Sequence, residues 1–319
     1  MKIGEYILKE TKTNPQYYLL EDELKVKINW KETAEIKIEN ELKKGKIKVI
    51  KIDKENEKIK LEGVVFQVLD EKGNLLDKII TDKNGEAITK EYVIKDYKEL
   101  IIREIHTQEE YILNNEPKTI KIDENGCTII ILKNERIKPE LNVNVEKTGF
   151  SEVANNQSIY YDFKNIQNNS NVKLSNFTWT DILPTDAVRV DEILTGTWNQ
   201  ELEYSIWYRT NKNDYKVIAE NLSSQINNKI DFKNIKLEED EYITEYEFRF
   251  GTVNPEFSEI ESPRLYCNVM DNLTNGLIFT NNTKIRGEYL KKYVEDNDYW
   301  TTIVYNKEKT VEILPRTGI

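Results

Sequence analysis

Apolar and polar residues alternate in short runs along this chain. "KIKVIKID" (46–53) alternates, and "LEGVVFQVLD" (61–70) does so in part, the period of a strand with one buried face. The runs are separated by "DEKGN" (70–74), "DKNGE" (82–86) and "DENGC" (123–127), Asp/Asn/Gly clusters whose glycines can supply positive φ in tight turns. Asp-rich loops also suit calcium, but none of the three has the full ligand spacing of a calcium-binding loop, so they are read as hairpin turns. "KIGEYILKE" at the start is strand-like. "PELNVNVEKTGFSEVANNQSIYYDFKNIQN" from Pro139 reads as two further strands, and "YWTTIVYN" as the last one. The pattern predicts an all-β protein.

The pattern also repeats. Laying residues 4–44 over 98–138 without a gap places Glu5 on Glu99, Ile7 on Ile101, Glu10 on Glu104 and Tyr17 on Tyr111. It then places Leu19 on Leu113, Ile28 on Ile122, Asn40 on Asn134 and Glu41 on Glu135, a shift of 94 residues (Glu5 to Glu99). A register held for about forty residues marks two copies of one unit. The second copy has a front half, residues 45–97, which the first lacks. The expectation is therefore that the chain begins inside a domain, and the absence of a signal peptide after Met1 is read in the same way.

Composition narrows the function classes. Among 319 residues, 18 Tyr, 5 Trp and only 2 Met accompany abundant Ile, Val and Thr, which favours strands over helices. A net charge of −11 argues against nucleic acid and anionic membranes, which need a basic footprint. No run of about 18 apolar residues is present to span a bilayer. Cys127 and Cys267, the two cysteines, fall in different modules, which argues against a disulfide. The single histidine, His106, sits at a strand end and is a poor foundation for a Ser-His or Cys-His site. No Cys/His cluster suits zinc and no G-x-x-x-x-G-K-[ST] loop cradles phosphate. Paired carboxylates of the kind a glycosidase uses are the one catalytic set an acidic chain could still hold. No cofactor or metal is expected, nor turnover catalysis.

The blocks "GKIKVIKIDKENEKIKLEGVVFQVLDEKGN", "TDKNGEA", "LIIREIHTQEEYIL" and "ILKNERIK" together resemble the collagen-adhesin B-type domain, the prealbumin-like β-sandwich of Gram-positive pilins and adhesins. The likeness covers residues 45–138, with half of a second copy at 1–44. It implies an intramolecular isopeptide bond from a first-strand Lys to a last-strand Asn, promoted by a Glu on a middle strand. The matching positions are Lys51 in "VIKID", Asn134 in "LKNER" and Glu104 in "REIH", with Lys48 as the alternative nucleophile. Physical chemistry allows the reaction: burial favours the neutral amine and the protonated carboxyl. In the shorter copy Glu10 and Asn40 match, and no Lys partner accompanies them.

Beyond Pro139 the order "EKTG", a Tyr-rich strand, "TDILP" and "TNNT" resembles Ig-like repeats of bacterial surface proteins, relatives of the collagen-adhesin A-type fold, over residues 139–306. The likeness implies Lys147 as nucleophile, Asp181 as acid partner and Asn281 as acceptor, with Asn282 as the alternative. An added stretch, "GTWNQELEYSIWYRTNKNDY", carries Trp198, Trp207 and several Tyr, read as core residues or as a binding surface. Residues 307–319 read as an extended linker ending in Leu314, Pro315, Arg316, Thr317 and Gly318, which resembles the L-P-x-T-G sorting signal that sortase cleaves between Thr and Gly.

The expected fold is thus tandem β-sandwiches, prealbumin-like domains followed by an Ig-like one. The expected function is a pilin-like subunit or adhesin stalk on the Gram-positive cell wall. Sortase, peptidoglycan or pilin subunits would be its partners, and no membrane span lies within these residues. The alternative is an adhesin whose Trp/Tyr-rich third module binds a host extracellular-matrix protein or glycan.

Overall fold

The computed structural model describes residues 2–124 and 126–306. Leu314 to Gly318, the expected sorting signal, and Asn125 of the third turn lie outside the described residues. The chain divides at Lys138/Pro139 into two compact units, both built of strands; the described residues contain one short helical turn, Phe232–Asn234.

The first unit begins with an antiparallel pair, β1 (Gly4–Leu8) and β2 (Leu24–Ile28). Eight strands follow: β3 (Lys44–Asp53), β4 (Val65–Leu69), β5 (Leu75–Ile80), β6 (Glu86–Ile88), β7 (Tyr92–Val93), β8 (Glu99–His106), β9 (Lys118–Lys121) and β10 (Cys127–Asn134). They form two sheets, β10-β3-β6 with β7 also on β3, and β5-β4-β8-β9. Between the sheets lie Ile47, Val49, Val64, Phe66, Val68, Leu100 and Ile102, all essentially inaccessible to solvent. The strand period explains the choice, since alternate side chains point to one face. The same period carries polar residues inward. Ile47 and Val49 are followed in the inward row by Lys51, Leu100 and Ile102 by Glu104, and Ile130 and Leu132 by Asn134.

The predicted turns form for an identifiable reason. Asp70 accepts hydrogen bonds from the backbone N–H of Lys72 and Asn74, and Asp82 from those of Asn84 and Glu86, which is how a short acceptor side chain stabilises a reversal. Gly73 and Gly85 sit at φ of +85° and +70°. Two strands in register are β3 and β10, the first and last of the sandwich; they run parallel, with Lys51 opposite Leu132 and Asp53 opposite Asn134.

The repeat is preserved in three dimensions. The backbone N–H of Tyr17 donates to Asn14 and that of Tyr111 to Gln108; Tyr18 donates to Glu41 as Ile112 does to Glu135; Lys43 donates to Gln16 as Ile137 does to Glu110. Each pair is related by the same shift of 94 (Tyr17 to Tyr111). Residues 2–43 touch the longer copy where the Tyr18 hydroxyl donates to the Glu124 carbonyl at 3.1 Å and Lys43 pairs with Glu124 at 3.1 Å.

The second unit packs two larger sheets. Its five-stranded sheet has the order Val143–Thr148, Ser158–Asn168, Arg264–Val269, Val188–Leu194, Lys229–Asp231. The seven-stranded sheet is centred on Ile278–Tyr289, Leu174–Ile182 and Ile243–Val253. Aromatic rings fill the interior: Phe163 meets Trp179 edge-on at 4.6 Å, Trp179 meets Phe248 at 4.6 Å, and Trp198 stacks on Phe257 at 5.3 Å. Both units are β-sandwiches, as the alternation predicted.

Gly85 provides a test of the first unit's tight packing. A Cβ there would lie 2.4 Å from the Lys51 carbonyl oxygen and 3.1 Å from the Leu61 nitrogen, on a backbone already at positive φ. Gly85→Ala should therefore cost about 1–3 kcal/mol, read as a lower denaturation midpoint. An unchanged midpoint would show that this turn is free to shift.

Candidate functional site

Two buried clusters stand out, because lysine, carboxylate and amide side chains seldom lie wholly inside a protein. In the first unit Lys51 reaches across from β3 to β8, where its Nζ lies 2.5 Å from Glu104 Oε2. From β10, Asn134 Nδ2 donates to Glu104 Oε1 at 2.7 Å and to Thr107 Oγ1 at 2.9 Å. Lys51, Glu104 and Asn134 are 1%, 3% and 1% exposed. The Phe66 ring lies under the lysine, 5.7 Å from Nζ to the centroid. Burial pushes the Lys51 amine toward its neutral form, against the pull of the Glu104 carboxylate. Lys48, the alternative nucleophile, points to the opposite face and pairs with Glu86 at 2.6 Å, partly exposed.

A polar clasp holds the ends of the two strands beside this cluster. Asp53 is buried and accepts from Arg136 Nε at 2.6 Å, the Tyr111 hydroxyl at 2.8 Å, and the backbone N–H of Glu55 and Asn56. Burial alone would raise the Asp53 pKa, but these donors outweigh it and hold the carboxyl well below the usual range. Burial and the bond to Asp53 push the Tyr111 phenol up to about 12. The clasp pins Asp53, two residues past Lys51, against Arg136, two residues past Asn134.

In the second unit Lys147 pairs with Asp181, and Asn281 Nδ2 donates to Asp181 Oδ2 at 3.2 Å. All three are at most 3% exposed. Tyr161 and Phe163 flank the lysine, each ring centroid 4.8 Å from Nζ. Burial pulls the Lys147 pKa down to about 8 despite Asp181, and pushes the Asp181 carboxyl up despite Lys147 and Asn281. Both directions favour a neutral pair. Asn282 is exposed on the other face of its strand. Cys267, buried in the same unit, has its thiol pushed up by burial and is a free cysteine, as is Cys127.

Both asparagine side-chain oxygens, Asn134 Oδ1 and Asn281 Oδ1, are buried without a hydrogen-bond partner. Such an orphan is costly. Turning either amide by 180° would bring its oxygen onto the neighbouring carboxyl, which must then carry the proton. That is the arrangement in which an acid polarises an amide carbonyl next to a neutral amine.

The shorter copy keeps part of the cluster. Asn40 Nδ2 donates to both Glu10 carboxylate oxygens at 2.9 Å and to Thr13 Oγ1 at 2.7 Å. Among the described residues no lysine pairs with Glu10. The two hydroxyls, Thr13 and Thr107, were not singled out by the sequence reading, although the 94-residue shift superposes them. The rings beneath the lysines and the Asp53 clasp were also missed. They come from distant segments with no local signal.

The aromatic stretch of the second unit turns inward. Trp198 and Tyr204 are core residues, and Trp207 lies in a surface layer with the Arg249 guanidinium 4.2 Å from its ring centroid. His106 is exposed at the end of β8.

Comparison with known proteins can now be set beside this geometry. Residues 45–136 match SpaA, a prealbumin-like fold domain. That SpaA-type segment holds Lys51, Glu104 and Asn134. No curated protein matches the chain. Among solved structures, the Bacillus anthracis TIE protein is similar at 16% identity and a TM-score of 0.38, over 95% of this chain and 41% of that one. The chain thus spans about two fifths of that protein's length. BcpA, the major pilin subunit of Bacillus cereus, is similar at 16% identity and a TM-score of 0.27, over 82% of this chain and 69% of that one. A putative membrane anchored protein from Corynebacterium diphtheriae is similar at 11% identity and a TM-score of 0.30, over 96% and 82%. At these scores no functional property carries over from the solved structures to this chain.

The Lys147 environment has a pH signature. A lysine whose folded pKa, about 8, lies below its ordinary 10.5 is bound to fewer protons in the folded than in the unfolded chain between those values. Stability then rises with pH across that window. Asn281→Ala, in which the amine stays free, should gain stability from pH 8 to pH 10 relative to Lys147→Met/Asn281→Ala, which cancels the titration of Cys267 and the tyrosines. A difference that stays flat in denaturant titrations would place Lys147 in contact with water.

Proposed function

We propose that this chain is part of a structural surface protein of a Gram-positive cell wall, a pilin-like subunit or adhesin stalk that crosslinks its own domains. The observation that carries the reading is that two sandwiches of different topology each bury a lysine and an asparagine on one shared carboxyl group. An ordinary core has no use for such a set, since removing two charges from water costs several kcal/mol per ion.

In the SpaA-type domain the neutral Lys51 amine attacks Asn134 Cγ while protonated Glu104 polarises the carbonyl. The tetrahedral intermediate collapses with proton transfer through Glu104. The Cγ–Nδ2 bond breaks, ammonia leaves and an Nζ–Cγ amide remains. No redox change occurs and the acid is regenerated, but the product stays in place, so each domain reacts once and there is no turnover. Fixed contact in a dry core replaces external catalysis, since effective molarities of about 10⁵–10⁸ M are reached by well-oriented groups. Lys147, Asp181 and Asn281 would react in the same way in the second unit.

The position of the first bond suits a load-bearing role. It would join the first and last strands of the domain, so tension entering at β3 and leaving after β10 passes through the amide and bypasses residues 52–133. Closing a loop of roughly 80 residues would also stabilise the fold by about 4–5 kcal/mol in the chain-entropy account. The sorting-signal residues Leu314 to Gly318 complete the reading. Sortase would cleave between Thr317 and Gly318 and pass the Thr317 acyl group to a peptidoglycan precursor or pilin lysine. The adhesin alternative would draw on the part of the aromatic stretch that stays at the surface, Trp207 beside Arg249, since Trp198 and Tyr204 pack inward.

Intact-protein mass spectrometry tests the crosslinks. The chain should weigh less than its sequence by two ammonia molecules; Glu104→Ala should restore one and Asp181→Ala the other. A full-sequence mass would overturn the crosslink reading. For anchoring, incubation with a class A sortase and an oligoglycine nucleophile should transfer the chain with cleavage after Thr317, and Thr317→Ala should abolish the product. An uncleaved wild-type chain would overturn that part.

A further inference from the structure

In both buried clusters a hydroxyl stands beside the asparagine amide, in addition to the acid. In the first unit Asn134 Nδ2 donates to Glu104 Oε1 at 2.7 Å and to Thr107 Oγ1 at 2.9 Å, while Oδ1 is buried without a partner. Turning the amide over exchanges its two ends. The carbonyl oxygen then takes the place now held by Nδ2, in reach of protonated Glu104 and of Thr107 at once. Those separations match what a donor to a developing oxyanion needs. The bond from Asn134 is the only one the Thr107 hydroxyl makes among the described residues, so its proton is uncommitted. A hydroxyl alone suits both orientations, because it accepts from the amide N–H before the turn and donates to the carbonyl oxygen after it. The same hydroxyl recurs in the shorter copy, where Asn40 Nδ2 donates to Thr13 Oγ1 at 2.7 Å.

The second unit supplies its hydroxyl from a different place. Tyr161 lies on the strand Ser158–Asn168, fully buried, with its ring 4.8 Å from Lys147 Nζ. Its hydroxyl makes no hydrogen bond, and Asn281 Oδ1 makes none either. Burial pushes the phenol up, against the opposing pull of Thr302 and Asn281. An amide lowers a phenol's pKa only through its N–H, so the Asn281 nitrogen faces the Tyr161 oxygen. Thr302 is turned elsewhere, donating to the Phe150 carbonyl at 2.7 Å. Turning the Asn281 amide over would bring its oxygen toward both Asp181 and the unused Tyr161 O–H, and would satisfy two buried orphans together.

We propose that Thr107 and Tyr161 are catalytic residues of the crosslinking reaction, each the second hydrogen-bond donor to the oxyanion that forms on the asparagine carbonyl. As Lys51 Nζ bonds to Asn134 Cγ, the carbonyl π pair moves onto Oδ1, where the Glu104 and Thr107 O–H groups meet the developing charge. The pair returns as the Cγ–Nδ2 bond breaks. Ammonia leaves with a proton of the former amine, passed through Glu104, and Thr107 keeps its own proton throughout. Tyr161 does the same for Lys147, Asp181 and Asn281. The two hydroxyls come from unrelated positions in unlike sandwiches, which is what a common electrostatic requirement produces.

This inference rests on the crosslink reading, and the two fail separately. The full chain is made by cell-free translation, synthesis is stopped, and ammonia loss from the folded, protease-resistant chain is timed by intact mass. Asn281→Ala isolates the first bond and Asn134→Ala the second. Thr107→Val, of similar shape without the hydroxyl, should slow the first loss by about 10²–10³-fold, the usual effect of deleting one oxyanion donor. Thr107→Ser should keep it near the unsubstituted rate. Tyr161→Phe should slow the second loss by a similar factor. A loss as fast or faster in Thr107→Val or Tyr161→Phe would overturn the role of that residue, leaving its hydroxyl only to hold the amide in the unreactive orientation. Equal slowing by Thr107→Ser and Thr107→Val would also overturn it. An unsubstituted chain that keeps its full sequence mass would instead overturn the crosslink reading itself.

Discussion

A lysine that cannot reach water is the constraint around which each sandwich is arranged. Lys51 lies in an inward row because strand periodicity puts it there, after Ile47 and Val49. Once inside, it must either find a counter-charge or lose its own. Glu104 and Asp181 meet that need electrostatically, yet a buried ion pair is a poor stabiliser, because desolvation of two charges rivals their attraction. The proposed conversion to an amide would remove the problem. The amine would become part of a hydrogen-bonding amide, and the asparagine oxygen that now lacks a partner could accept from the neighbouring acid.

The two units reach this arrangement by different routes. In the first, the lysine and asparagine lie on adjacent parallel strands of one sheet and the acid comes from the facing sheet. In the second, Asp181 and Asn281 lie on neighbouring strands of the seven-stranded sheet, and Lys147 crosses from the five-stranded one. The shared requirement is chemical: an amine, an acid and an amide within reach of one another, lined by aromatic rings and closed to solvent. Topology is free to vary as long as that contact is made. In the first unit the Asp53 clasp fastens the same two strands, charged and partly exposed at Arg136, just beyond the Lys51–Glu104–Asn134 cluster.

The shorter copy shows how much of the repeat forms from local sequence. The Glu10–Thr13–Asn40 hydrogen bonds form from residues within one stretch of about thirty, because loop closure over that distance is cheap. The strand at 33–40 does not form, since a parallel strand needs a neighbour to accept its hydrogen bonds. Glu10 and Asn40 were legible from the repeat alone. The exposure of Leu8, Ile36 and Ile38 was not, because exposure depends on what covers a side chain.

Sequence by itself determined the all-β class, the turns at Asp70 and Asp82, the repeat, and the identities of Lys51, Glu104, Asn134, Lys147, Asp181 and Asn281 as a set worth testing. These are readable because alternation, turn chemistry and repeat register are local or periodic properties. Tertiary structure alone decided between neighbours in the sequence. It turned Lys51 inward and Lys48 out, buried Asn281 and exposed Asn282, and packed Trp198 and Tyr204 into a core. It also brought Thr107, Phe66, Tyr161 and Asp53 to positions that no spacing announces. The reason is that burial and charge state are set by everything surrounding a residue, and strands distant in sequence supply most of those surroundings.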